Sequence, residues 1–260
     1  MNENKIKIGI VGHGFVGGAV DYAFTHPDVE KFYVDPKYET TMYDLVSWGP
    51  HYTFICAPAP TIDDGVDVSI IKDAIDTLTR TYNGGIIVKS TIPPDKVDEI
   101  CFDSRIVYNP EFLIQSNAKE QFVNAPYHIL GGETEFCEAV EFLYRTYSLC
   151  IAEEYVYMSP AEASFVKYGV NSFLATKVIF FNQLYDAAEK YGTVNTTKII
   201  NAIGKDSRIG LGHTRVPGYD GQQGFGGACF PKDTEAFVKF DQCLTLLKKS
   251  IDINKRYRNV

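Results

Sequence analysis

One glycine hexapeptide limits the folds open to this chain more than any other stretch. Gly12-His13-Gly14-Phe15-Val16-Gly17 follows an apolar run carrying Ile6, Ile8 and Ile10, and it leads into a helical pattern. Glycines so placed let the backbone approach a pyrophosphate at a helix N-terminus. The spacing alone is weak, because a tight strand-to-helix turn also uses glycine. Asp35 adds a second coordinate: it closes the next apolar run, near the roughly 20-residue distance at which a carboxylate binds a ribose diol. Its charge would repel a 2′-phosphate. The pattern therefore favours NAD over NADP, with Gly12, Gly14, Phe15, Val16, Gly17 and Asp35 as contacts. His13, inside the loop, reads as a variable position without chemistry.

Short β-rich runs at residues 5–12, 31–35, 52–57, 85–90, 105–109, 127–131 and around 151–158 alternate with helical stretches. That alternation predicts an α/β chain: a Rossmann-like, doubly wound parallel sheet over residues 1–158, then an all-α domain with long helices over 159–260. Ser159-Pro160-Ala161-Glu162 is a capping box with proline at the first helical position. Behind it apolar residues recur at helical spacing to Gly192, predicting a helix of roughly 30 residues, fit for a domain spine or dimer seam. A second pattern (Phe237, Phe240, Leu244, Leu247, Ile251) predicts one more long helix from about Asp233 nearly to the end, with Cys243 on its apolar stripe.

With 260 residues, 45% hydrophobic and 22% charged, the chain has the composition of a globular protein, and its net charge of -8 argues against nucleic-acid or anionic-membrane binding through the overall field. The lead Met1–Lys5 has no apolar h-region, and no apolar stretch approaches 18 residues. A cytoplasmic location is the expectation. The six cysteines lack CxxC pairs and nearby histidine spacing, so neither a metal site nor a disulfide framework is expected.

Gly224-Phe225-Gly226-Gly227-Ala228-Cys229-Phe230-Pro231-Lys232-Asp233 is a glycine run that delivers a cysteine, with a carboxylate four residues on. A thiol attacks only as thiolate, so a cation or helix N-terminus must favour the anion. Lys167, Lys232 and a helix beginning near Asp233 are the candidates.

This segment resembles the GxGYGGSCFPKD signature of the UDP-glucose 6-dehydrogenase and GDP-mannose 6-dehydrogenase family. Three further motifs agree in order: Ser90-Thr91-Ile92-Pro93 with STVP, Asn109-Pro110-Glu111-Phe112-Leu113 with NPEFL, and residues 167–177 with KxxxNxFLAxK. The last points to the UDP-glucose or GDP-mannose branch rather than the acetamido-sugar branch. The resemblance implies a four-electron oxidation of a nucleotide-sugar alcohol in two NAD steps, UDP-glucose to UDP-glucuronate first among the candidates. Cys229 would capture the aldehyde as a thiohemiacetal that becomes a thioester. Lys167 and Asn171, on one helix face, would stabilise oxyanion charge. Asp233 and Thr91 would hold a water, with Thr91 also touching the cofactor, and Glu111 would act in thioester hydrolysis.

The substrate contacts it implies are Phe112, Leu113, Gln115, Lys167, Asn171, Phe225, Gly226 and Arg208, the last reaching across a homodimer interface from a DxRIG segment. Gln115 departs from the family's acid and cannot accept a proton. Family members also continue into a second nucleotide-binding domain. Here a minimal enzyme, a separate chain supplying that domain, or a smaller substrate are the readings left open. So are a two-electron β-hydroxyacid dehydrogenase, which also pairs a helix-borne lysine with asparagine but needs no cysteine, and a non-catalytic NAD-binding assembly module.

Overall fold

The computed structural model describes residues 5–62 and 65–259, so the Met1–Asn4 lead discussed above lies outside the described residues. The apolar runs become strands and the amphipathic stretches helices: β1 (Ile6–Val11), α1 (Phe15–Ala23), β2 (Val29–Val34), α2 (Met42–Trp48) and β3 (Tyr52–Ile55), then a small antiparallel pair, β4 (Thr61–Ile62) and β5 (Gly65–Val66). There follow α3 (Ser69–Thr81), β6 (Gly85–Val88), α4 (Val97–Ile100), β7 (Ile106–Tyr108), α5 (Ala118–Val123), β8 (Tyr127–Gly131), α6 (Thr134–Tyr147) and β9 (Glu154–Met158). Seven strands form one sheet in the order β2-β1-β3-β6-β7-β8-β9.

Both faces of this sheet are covered, which is why its central strands are apolar on both sides. One core packs Leu45, Ile71, Leu78 and Val97 from α2, α3 and α4 on one face. The other packs Ala19, Val20, Phe122 and Tyr144 from α1, α5 and α6 on the opposite face. One pairing departs from the all-parallel expectation. β7 and β8 run antiparallel, with Tyr108 opposite Gly131, and β9 is parallel to β8. An antiparallel neighbour starts where the previous strand stops, so the whole 109–126 connection, α5 included, stays at the carboxyl ends of the parallel strands. Open α/β sheets bind their ligands at that end.

The chain divides into two compact units, Met1–Lys167 and Tyr168–Val260, with the division inside α7 (Pro160–Tyr191). The capping box forms: Ser159 Oγ accepts from Glu162 N at 3.3 Å, and Glu162 Oε2 accepts from Ser159 N at 2.7 Å. The second unit continues through α8 (Thr196–Ile203), an irregular stretch, α9 (Phe230–Phe240) and α10 (Thr245–Arg258).

The single long C-terminal helix expected from the apolar spacing is thus two helices. Asp241 leaves the helical region (φ -142, ψ 116), and its Oδ1 accepts from Cys243 N at 2.8 Å, the local turn with which an aspartate competes against a helix. Cys243 lies in that break and is exposed, which corrects its placement on a buried stripe. The helix also starts earlier than expected, at Phe230 instead of near Asp233. Among the described residues no helix is long and apolar enough to cross a membrane.

Candidate active site

The glycine loop between β1 and α1 has the shape its sequence requires. Gly12 has φ +86, and a Cβ there would stand 2.6 Å from the Cys56 carbonyl oxygen. A Cβ on Gly17 would fall on the Gly12 carbonyl, while one on Gly14 would meet nothing within 4 Å. Two glycines are therefore demanded by packing, and the third leaves open space at the N-cap of α1, with Phe15 and Val16 in the first turn. Asp35 Oδ2 accepts from His13 N at 2.7 Å and its Oδ1 from Lys37 N at 3.0 Å; these bonds, His13's first, hold the carboxyl below the usual carboxylate range.

His13 is more engaged than its sequence context suggested. Its ring lies 3.3 Å from Asp21 Oδ2 and 3.0 Å from the Tyr38 hydroxyl, and its carbonyl accepts from Lys37 Nζ at 3.0 Å. The loop is tied both to α1 and to the turn after β2.

In the same unit, Lys167 is 2% exposed and donates from Nζ to the Glu111 carbonyl oxygen. Its Nζ also lies 3.6 Å from Glu111 Oε1 and 5.3 Å from the centre of the Phe112 ring. Glu111 is buried, with Oε2 accepting from Leu113 N at 2.5 Å. The motif around Glu111 thus folds onto the lysine it was expected to accompany. Thr91 is half-buried just beyond β6, next to Ser90, whose Oγ donates to the Ala57 carbonyl at 2.7 Å. Gln115 is exposed at the start of a 3-10 turn.

The second unit gathers the remaining motif residues. Asp233 is 1% exposed; Asn171 Nδ2 donates to its Oδ2 at 2.6 Å, and the Lys232 ammonium pairs with its Oδ1. The Asp233 amide donates to the Cys229 carbonyl at 2.8 Å, the bond that opens α9. Cys229 is the N-cap residue of that eleven-residue helix, with Pro231 in its first turn. Of the groups named to favour a thiolate, Lys167 and Lys232 each already face a carboxyl group. Cys229 also stands at the helix end, where the peptide dipoles favour an anion.

The glycine run itself is clamped. Gly224 N donates to Asn182 Oδ1 at 3.0 Å; Asn254 accepts from Phe225 N at 2.7 Å and donates to Phe225 O at 2.9 Å. Phe225 is 3% exposed, and a Cβ on Gly226 would press on the Arg258 guanidinium. Gly224 has φ +74 and could carry no Cβ without striking Asn254 Oδ1 at 2.4 Å. Arg208 stands apart from this cluster: its side chain is 88% exposed and makes a two-pronged bond to Asp206, two residues back.

Sequence reasoning missed Asn182 and Asn254, and it missed Lys89, a buried lysine whose Nζ donates to Asn109 Oδ1 at 2.9 Å. The signal for Lys89 was available, since a lysine closing a strand buried on both faces is an anomaly. The asparagines gave none.

Two domain models match this chain: the NAD binding domain of the UDP-glucose/GDP-mannose dehydrogenase family over residues 40–148 and the central domain of the same family over residues 161–256. The chain belongs to that family. This family member is 32% identical over 206 residues to a UDP-glucose 6-dehydrogenase of Rickettsia felis, covering 75% of this chain and 44% of the relative. It is 30% identical over 253 residues to that of Haloferax volcanii, covering 87% and 57%. A solved UDP-glucose dehydrogenase from Pyrobaculum islandicum superposes with a TM-score of 0.80 at 25% identity, over 98% of this chain and 69% of that one. The family member spans about half the length of the curated relatives it matches.

Its first unit contains the family's NAD-binding domain, and the cofactor loop suits that ligand. Gly14 leaves room where a pyrophosphate would lie against the amides of α1, and the Asp35 carboxylate, held by the His13 and Lys37 amides, is the group that would meet a ribose.

Proposed function

We propose that this chain carries out the NAD-dependent, four-electron oxidation of a nucleotide-sugar primary alcohol to the uronic acid, with UDP-glucose the leading substrate. The observation that carries the reading is the arrangement on α9: Cys229 caps the helix, and one turn on Asp233 is buried and held by Asn171. A carboxylate so fixed, one turn from a thiol at a helix N-terminus, suits covalent capture of an aldehyde followed by hydrolysis.

NAD, when bound, takes up one hydride in each of the two oxidations. After the first, Cys229 Sγ adds to the aldehyde carbon, and Lys167 and Asn171 stabilise the oxygen on which charge develops. The thiohemiacetal loses its hydride and becomes a thioester. Water then breaks the carbon–sulfur bond, returning the thiolate and releasing the carboxylate. Asp233 and Thr91 hold that water, and with Gln115 unable to accept a proton, Glu111, Asp233 or Lys167 carries more of the base role. Phe112, Leu113, Gln115, Phe225 and Gly226 are the sugar contacts in this reading, with Arg208 supplied by the second subunit of a homodimer. Residues 1–158 form the cofactor domain and 159–260 the substrate and dimerisation domain, in the cytoplasm. A separate chain that supplies further nucleotide contacts is compatible with the same chemistry.

The test is a stoichiometry. Purified protein incubated with NAD and UDP-glucose or GDP-mannose should form two NADH per sugar, with Cys229→Ser yielding no acid. One NADH per substrate, retained by Cys229→Ser, would instead support a β-hydroxyacid dehydrogenase, and none with any nucleotide sugar a binding module. Support for the first outcome comes from the matches to both family domains, which the hydroxyacid reading does not explain.

A further inference from the structure

The motif over residues 167–177 ends on a lysine that the proposed chemistry leaves without a role. Lys177 lies on α7 within the second unit and is half-buried. Its Nζ donates to the carbonyl oxygens of Ile209 at 2.7 Å and Gly210 at 3.2 Å. Among the described residues no carboxylate pairs with this ammonium, and burial lowers its basicity. A lysine on a surface helix would ordinarily keep its charge in water. Here the charge is drawn partly out of water onto two neutral carbonyls, a cost that needs a return.

The two carbonyls belong to the turn that carries Arg208. Inside that turn Ile209 N and Gly210 N both donate to the Asp206 carbonyl, at 2.9 and 2.8 Å. The Asp206 carboxylate accepts from Arg208 N, Nε and Nη2 at 3.0, 3.0 and 2.7 Å. These bonds fix the form of the turn but not its seat on the helical unit. Lys177 supplies a link of the second kind, from a helix more than 30 positions away to the backbone immediately after Arg208. Ile209 and Leu211, beside the arginine, are exposed apolar side chains, so packing holds this edge of the turn weakly.

We propose that Lys177 is a positioning residue for sugar binding in the other subunit: it anchors the 206–210 turn to α7 and so sets where its own chain's Arg208 stands. The inference rests on the reading of Arg208 as a contact supplied across a homodimer. Lys177 touches no substrate in this scheme. Its defect should therefore appear in the partner's site and leave the site of its own chain intact.

Lys177→Met should raise KM for UDP-glucose at least about tenfold and leave KM for NAD within about twofold of the parent. Lys177→Arg, whose planar fork can serve both carbonyls, should return the sugar KM to within about threefold. Lys177→Gln, which keeps a polar end on the helix, replaces Lys177→Met if that variant does not fold. Subunit mixing then shows whose site is affected. Refolded one to one with Cys229→Ser and assayed well below the parent KM, Lys177→Met should give about a quarter of parent activity, because each mixed dimer holds one site with an intact cysteine and a correctly seated arginine. Refolded with Arg208→Ala it should stay below about a tenth, because both lesions strike the arginine that each site receives. The opposite pattern, recovery with Arg208→Ala and none with Cys229→Ser, would place Lys177 in its own chain's site and overturn the proposal, as would an unchanged sugar KM. The control is Arg208→Ala with Cys229→Ser. Recovery there, with none for Lys177→Met and Cys229→Ser, sinks the proposal alone; a parent inactive on UDP-glucose, or no recovery in the control, sinks the underlying reading and the proposal with it.

Discussion

A neutral histidine in a core is an acid-sensitive point, and His128 is one. It packs 4.6 Å from Tyr144 and 5.3 Å from Tyr155, ring centre to ring centre, and desolvation depresses its basicity from an ordinary 6.5 to about 3. Between those values the unfolded chain binds a proton that the folded chain refuses. Stability from this residue is therefore complete above about pH 6.5 and falls as pH drops toward 3, by about 3 kcal/mol at pH 4. His128→Phe should remove most of that loss, read as a urea midpoint that changes less between pH 7 and pH 4 than in the parent chain; an equal change would refute it. None of this was legible in the sequence, where His128 is one residue of an apolar run. The residues of the four motifs were legible because chemistry restricts them to particular types. Lys89 and His128 escaped notice because their roles come from neighbours remote in the sequence, which no local pattern displays.

Elements were read best where a start signal and a period coincided. The Ser159–Glu162 box announces α7, and both of its reciprocal bonds form. Ser159→Ala should lower the unfolding free energy by about 1 kcal/mol, measured by denaturant titration, with Glu162→Ala giving a comparable loss. An unchanged midpoint would mean that packing alone fixes the start of this helix. The strands were equally plain, because a sheet covered on both faces writes continuous apolar runs. What the period could not show was the interruption between α9 and α10. Apolar spacing continues in phase across residues 241–244, yet a single aspartate bonding the amide two residues ahead is enough to break the helix. The antiparallel entry of β8 was hidden for a similar reason: strand sequence carries no direction, and only the route of the 109–126 connection sets it.

At the scale of the molecule, the Arg208 assignment makes a prediction that a monomer cannot satisfy. The side chain is turned to solvent, and it is bonded to Asp206 within its own turn. If it completes the site of a second subunit, Arg208→Ala and Cys229→Ser should each be inactive alone. Unfolding and refolding the two together should restore about a quarter of the parent activity, because half of the dimers are mixed and each has one intact site. No recovery, with mixed dimers demonstrated by mass, would place the arginine's contribution within its own chain. The fold could be read from the sequence at this scale almost entirely, since alternating elements followed by helices leave few arrangements.

The clamp on the glycine run bears on how such enzymes can be recombined. A chimera that carries residues 224–233 from one parent brings the cysteine and its glycines, but the amides that give the loop its shape sit at Asn182 and Asn254, 42 and 29 positions away. A crossover between the run and either helix can deliver a flawless motif in the wrong shape. The exchangeable piece is the second unit as a block, and a library designed around the motif alone would be filled with silent failures.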